Sequence, residues 1–272
     1  MEYFELNNGL KIPAIGFGTY LMAPAITEEN VTLALNEGYR LVDTAQNYGN
    51  EQEVGAAVNN SGLNRDDVFV TSKTQTMGYQ STKRGIDESL RRANLDYFDL
   101  MIIHWPNGQD LETYRALEEA YQEGKLRSIG LSNFNHAQVQ KILDNFAVRP
   151  VLDQVETHLY DQQVKLHDYL TAHDIMHEAW SPLGAGDSGM LRDPEVQRIA
   201  DKYGKTTAQV LLRFLNQKQI IVIPKSTSLK HIQANLDIFE FKLADEDMRV
   251  LESLDRSQSF TGWPASMALD SY

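Results

Sequence analysis

Residues 41–51 read LVDTAQNYGNE. Leu41 and Val42 close an apolar run that starts at Tyr39 and has the composition of a buried strand. At Asp43 the chain turns polar and passes through Gln46, Asn47, Tyr48 and Gly49. Asn50 is suited to cap a helix whose first turn carries Glu51 and Glu53. A strand, a short polar loop and a helix start form one βα unit, and the fold depends on whether that unit recurs. By itself Asp43 is as readily a turn former or cap as a catalytic carboxylate.

The unit does recur. Strand-like runs fall at 14–19, 39–43, 68–72, 98–104, 128–132, 151–156, 174–180 and 220–224. Helical patterns lie between them at 50–60, 81–93, 111–123, 136–146, 161–172, 194–215 (read as two helices) and 229–238, with a last one at 245–254. Upstream, Thr27 reads as an N-cap followed by Glu28 and Glu29, and Gly38 as the helix stop. Before that, Asn7-Asn8-Gly9 between two short runs signals a hairpin. Alternating strands and helices with short connections imply parallel strands covered by helices. Eight such units in roughly 250 residues predict a closed (β/α)₈ barrel. It carries an N-terminal β-hairpin and a C-terminal extra helix and tail, as one domain over 1–272, with an open doubly wound sheet as the rival.

Composition narrows the function classes. The 272 residues are 42% hydrophobic and 23% charged, an ordinary globular balance. There is no cysteine, which excludes disulfides, thiolate metal sites and cysteine nucleophiles. A net charge of −13 opposes general nucleic-acid binding. No run is long and apolar enough to span a membrane, and MEYFELNNGL has no secretory-signal character, so a cytoplasmic protein is expected.

In a barrel the chemistry sits where strands end. Asp43 ends the second strand with Tyr48 in the loop after it, VFVTSK ends in Lys73, and FDLMIIH ends in His104. Taken singly, a capping Asp, a surface Lys and a satisfied core His remain the blander readings. Together the four make a general acid for a carbonyl oxygen gaining negative charge. A lysine ammonium beside a phenol makes it a better proton donor, an aspartate keeps that lysine charged, and a histidine orients the carbonyl. None of them is an electron source, so the hydride must come from a cofactor.

The chain resembles the aldo-keto reductases, and within them the bacterial branch that includes the 2,5-diketo-D-gluconate reductases. The resemblance runs through GFGT, VDTAQNYGNE, VTSK, IIHWP, SIGLSNF, DQVETH, AWSPLG and IPKS in the family's order and spacing. It implies reversible hydride transfer between NADPH and a small-molecule aldehyde or ketone. Tyr48 would be the general acid and Asp43, Lys73 and His104 its partners. Cofactor contacts implied by position are Gly18, Thr19, Ser132, Asn133, Gln154, Trp180, Ser181 and Leu183. Around the adenosine phosphate they are Lys225, Ser226, Thr227, His231 and Asn235. Tyr20 and Trp105, with Tyr48 and His104, would face the substrate, and Phe260, Trp263 and Pro264 in the tail are candidates to reach over the mouth. No metal site and a monomeric state are expected.

Three departures stand out. His231 replaces an arginine that clamps the 2′-phosphate, so NADH is expected to be accepted as well. Asp153 replaces an asparagine, and Ala234 a glutamate. Gly184-Ala-Gly186-Asp-Ser-Gly189 spells a dinucleotide fingerprint but is read as a loop, because the next helix is delayed to Pro194. His173 and His177 straddle a strand start and are not read as metal ligands. Two other functions stay open: a cofactor-binding regulatory protein of the same fold, and a Schiff-base lyase using Lys73.

Overall fold

The computed structural model describes residues 1–184 and 188–261. A two-stranded antiparallel hairpin, β1 (Tyr3–Glu5) and β2 (Lys11–Pro13), comes first. Eight parallel strands follow: β3 (Phe17–Gly18), β4 (Leu41–Asp43), β5 (Phe69–Thr74), β6 (Leu100–Ile103), β7 (Ile129–Ser132), β8 (Leu152–Glu156), β9 (Met176–Trp180) and β10 (Ile220–Val222). Each pairs with its sequence neighbour. The ring closes where Ile15 bridges Val222, with Gly16 N–H donating to Val222 O at 2.8 Å and Gly18 N–H to Pro224 O at 3.1 Å. An open sheet has no such bridge, so the fold is the (β/α)₈ barrel.

The helices are α1 (Pro24–Glu37), α2 (Glu51–Asn60), α3 (Tyr79–Ala93), α4 (Asp110–Gln122), α5 (His136–Asn145), α6 (Val164–Ala172), α7 (Pro194–Tyr203), α8 (Thr207–Gln217), α9 (Leu229–Leu236) and α10 (Asp245–Glu252). Outward strand residues such as Val42, Val70, Met101, Leu131 and Ala179 pack with them in one apolar layer. A second apolar group lies inside. Phe4, Leu6 and Ile12 of the hairpin seal the barrel floor against Leu41, Leu100, Leu152 and Ile221, each worth about 1.5–3 kcal/mol of burial. Asn7 fixes that plug by donating to Pro150 O (2.9 Å) and Asp174 O (3.0 Å).

Two helix starts differ from the pattern. α1 begins at Pro24, whose missing N–H suits a first turn. Thr27 is therefore inside the helix, and its hydroxyl donates back to Ala23 O at 2.9 Å. α6 begins at Val164, because Gln163 stands in the left-handed region (φ 50°) after the tight His158–Asp161 turn. Capping boxes at Asn135/Gln138 and Thr206/Gln209 set α5 and α8.

Gly55 fixes how α2 lies on the end of α3. A Cβ there would sit 1.8 Å from the Ala93 carbonyl oxygen. Alanine normally stabilises a helix interior relative to glycine, but here overpacking wins. Gly55→Ala is expected to cost at least about 1–3 kcal/mol. Urea unfolding checks this, and an unchanged or raised midpoint would contradict it.

Candidate active site

Asp43 ends β4, Lys73 is next to last in β5, and His104 follows β6 directly. Tyr48 lies in the single 3₁₀ turn Gln46–Tyr48. All four meet at the C-terminal mouth. Lys73 Nζ forms an ion pair with Asp43 Oδ1, their side chains only 1% and 3% exposed, and also donates to Thr44 O at 3.1 Å. It lies 4.9 Å from the centre of the Tyr48 ring. The His104 ring meets Tyr48 edge-on at 5.7 Å.

The loop that carries Tyr48 is fastened at both ends. Gln46 Oε1 accepts from Gln75 N–H (2.7 Å), and its Nε2 donates to Ser89 Oγ (3.0 Å). Asn50 occupies the N-cap position of α2, but its side chain does not cap. It turns inward, donating to Thr19 O and Met22 O at 3.1 Å each and accepting from the Thr44 hydroxyl at 2.8 Å. Tertiary ties took the side chain that the local pattern assigned to the helix end.

The charges sort themselves by environment. Burial alone would lower the Lys73 ammonium, but Asp43 and Tyr48 outweigh it and hold it above the ordinary lysine value. Burial lifts the Tyr48 phenol to about 12, although Lys73 pulls the other way, so the hydroxyl keeps its proton. Burial, then the Lys73 charge, lowers His104 to about 3, leaving a neutral imidazole. Its Nδ1 is buried without a partner among the described residues.

A second set of polar side chains stands beside these four. Asn133 Nδ2 donates to His104 O (3.0 Å) and Ser132 Oγ (2.9 Å), and its Oδ1 accepts the Trp180 indole N–H at 2.9 Å. Ser132 Oγ donates to Gln154 O (2.7 Å), and Gln154 Nε2 to Asp43 Oδ2 (2.9 Å). Asn133 (φ 65°) and Ser181 (φ 52°) both hold left-handed backbone at the mouth, a conformation that L residues rarely adopt. Ser181 and Leu183 are half-buried. Thr19 uses its hydroxyl on Asp43 O at 2.9 Å. Gly18 has a packing reason of its own, since a Cβ would meet Ile223 O at 2.9 Å. Asp153 faces away from this set, fully buried, and burial pushes its carboxyl well above the ordinary range despite the Phe134 N–H.

After β10 the chain runs through Lys225, Ser226 and Thr227 to the N-terminus of α9. Lys225, Thr227 and His231 are exposed, Ser226 is half-buried and Asn235 is buried one turn on. Ser226 Oγ accepts from Ser228 N–H at 3.1 Å, which shapes the turn. No acidic residue occurs between Pro224 and Leu236 in a chain of net charge −13. Aromatic rings line the mouth in sequence: Tyr20 on Tyr48 (5.1 Å), His104 on Trp105 (6.0 Å) and Trp105 on Trp180 (6.4 Å). Phe260 packs against His158 at 5.1 Å, and its N–H donates to Glu156 Oε1 at 2.9 Å. Trp263 and Pro264 lie outside the described residues, as do 185–187 of the glycine-rich loop. His173 bonds Tyr169 O, whereas His177 bonds Thr157 and His167, so the two do not converge.

Two polar residues of this region were given no role by the local sequence pattern. Gln46 acts through contacts distant in the chain. Glu178 is an acid buried inside the barrel, and the one available signal was its place two residues before Trp180 on the same strand face.

The sequence profile of the Aldo/keto reductase family matches residues 14–256. The chain is 40% identical to glyoxal reductase of Bacillus subtilis (strain 168) over 260 residues, 93% of each chain. It is 38% identical to morphine 6-dehydrogenase of Pseudomonas putida, over 92% of this chain and 90% of that one. Among solved structures, an aldo-keto reductase enzyme from a Medee basin deep-sea metagenome library superposes with a TM-score of 0.93 at 38% identity, covering 96% of this chain and 99% of that one. By the extent of that profile match and the end-to-end coverage of these relatives, this chain belongs to the aldo/keto reductase family.

Proposed function

We propose that this oxidoreductase reduces the carbonyl of a small aldehyde or ketone with NADPH, accepts NADH as well, and uses Tyr48 as the proton donor. The observation that carries the reading is Tyr48 set against the buried Lys73–Asp43 pair with the His104 ring beside it. A lyase through Lys73 needs a neutral amine, and Lys73 is a buried, paired ammonium.

The residues present suit a nicotinamide dinucleotide. The acid-free run from Pro224, with its lysines, hydroxyls and helix N-terminal amides, is a donor set for phosphate in an otherwise acidic protein. Ser132, Asn133 and Gln154 offer hydroxyl and amide groups beside the Trp180 ring, as a carboxamide on a flat ring requires. When bound, the cofactor supplies the hydride.

The chain's own residues do the rest. The substrate oxygen lies against Tyr48 Oη and a His104 ring N–H. As that oxygen gains negative charge it takes the Tyr48 proton. Lys73 stabilises the phenolate left behind, and Asp43 keeps Lys73 positioned and charged. Gln154 holds the other Asp43 oxygen. A single catalytic domain acting as a cytoplasmic monomer belongs to the same proposal. Its support is the cysteine-free composition for the compartment and the family resemblance for the monomer.

The test is cofactor oxidation over a panel of neutral aldehydes and ketones with NADPH and with NADH. Oxidation with both is expected, and none across the panel would overturn the proposal. His231→Arg is expected to raise the NADPH-to-NADH ratio of kcat/KM by about tenfold through a charge-assisted pair with the 2′-phosphate. An unchanged ratio would remove His231 from the phosphate site.

A further inference from the structure

Glu178 is a buried acid for which the acid–base reading has no use. It points into the barrel below Trp180, fully buried; neither of its oxygens meets a donor in full hydrogen-bond geometry among the described residues, and the Gln154 amide beside it favours its charge only weakly against the burial. On β8 its register neighbour is Gln154, which is uncharged, and on β10 it is Ile221. That Gln154 donates to Asp43 Oδ2 at 2.9 Å, which joins the strand position beside Glu178 to the buried Lys73–Asp43 pair, and the charges of both reach the Glu178 carboxyl. By strand alternation Thr71 of β5 also faces inward, and its hydroxyl is likewise without a partner. Nearer the mouth stand Tyr20, Tyr48, His104 and Glu156.

One buried ammonium therefore serves two buried carboxyl groups. Asp43 holds it in direct contact, and neither strand beside Glu178, β8 or β10, carries a lysine or arginine. A second buried anion would have no cation of its own and would repel Asp43, so Glu178 rests with its proton on. We propose that Glu178 is a positioning residue for the proton transfer: protonated, it leaves the Lys73 charge to Asp43 and Tyr48, and ionised, it competes for that charge and weakens Tyr48 as an acid. The inference rests on Tyr48 being the proton donor. Burial first, and then the Asp43 charge, push the Glu178 carboxyl up to about 8, which places the change in the mildly alkaline range.

The test compares wild type with Glu178→Gln, which keeps the shape and cannot ionise. For wild type, kcat/KM for carbonyl reduction is expected to fall about tenfold between about pH 7 and pH 9, while the variant holds its rate. Thermal unfolding of the free protein gives a readout that needs no substrate. The folded state keeps a proton that the unfolded chain releases above its ordinary value of 4.5. Wild type therefore loses stability as pH rises from there to about 8, and the variant lacks that loss, so the Tm gap widens with pH. Superimposable pH profiles in both measurements would overturn the inference while carbonyl reduction itself stood. A wild type without reductase activity would overturn both.

Discussion

Tyr48→Phe is expected to lower kcat for carbonyl reduction by ~10²–10⁴-fold, the range for removing a positioned general acid. The substitution deletes one oxygen and leaves the ring. Its contacts to Tyr20 at 5.1 Å, His104 at 5.7 Å and Lys73 at 4.9 Å survive. The 3₁₀ turn is held by Gln46 and Asn50, not by the hydroxyl, so the loop stays in place. KM for the cofactor should therefore stay within about twofold, a signature of an interaction made in the transition state. Steady-state kinetics on a purified variant with wild-type unfolding behaviour checks it. A variant as fast as wild type would remove Tyr48 from its role.

Lys73→Met should act on stability as well as rate. It leaves Asp43 buried with an uncompensated charge, and breaking a buried pair from one side costs about 3–5 kcal/mol. Lys73 is among the largest fully buried side chains of the protein, and methionine fills much of its path, so packing loss is the smaller part. Adding Asp43→Asn removes the stranded charge and is expected to restore at least about half of the loss, although neither variant should reduce carbonyls at a useful rate. Urea unfolding of the two single variants and the double decides it. A cost under about 1 kcal/mol for Lys73→Met would mean that the pair behaves like a surface salt bridge.

The parts of this molecule that could be read from sequence are those governed by local periodicity. Apolar runs ending in Asp43, Lys73 and His104 gave both the strands and the face on which those residues meet, because strand order alone places consecutive strand ends together. Features decided by distant partners could not be read that way. Asn50 looks like a helix cap, yet its side chain reaches back to Thr19 and Met22. Gly18 has a packing reason that its motif does not show, because the Ile223 carbonyl across the closing seam excludes a side chain there. Thr27 looks like a helix start because proline at the first position is a weaker local signal than a hydroxyl followed by two acids. Glu178 passes for a surface residue in MHEAW until the facing direction of Trp180 is known.

The side chain of Asn50 ties two loops to each other. It holds the backbone on either side of Tyr20 and Leu21 and, through Thr44, the approach to Tyr48. Tyr20 and Tyr48 are thus one mechanical piece, whereas Trp105 belongs to a separate loop closed by the Asp110 carboxylate on Asn107 N–H at 2.8 Å. Remodelling the pocket for a different molecule is for that reason asymmetric. Changes at Trp105 leave the Asn50 ties intact and reach Tyr48 only through the stacked His104 ring, but an insertion between Thr19 and Met22 would drag Tyr48 with it. One wall of the mouth is thus joined to Tyr48 by ring packing alone, and the other by a hydrogen-bonded brace.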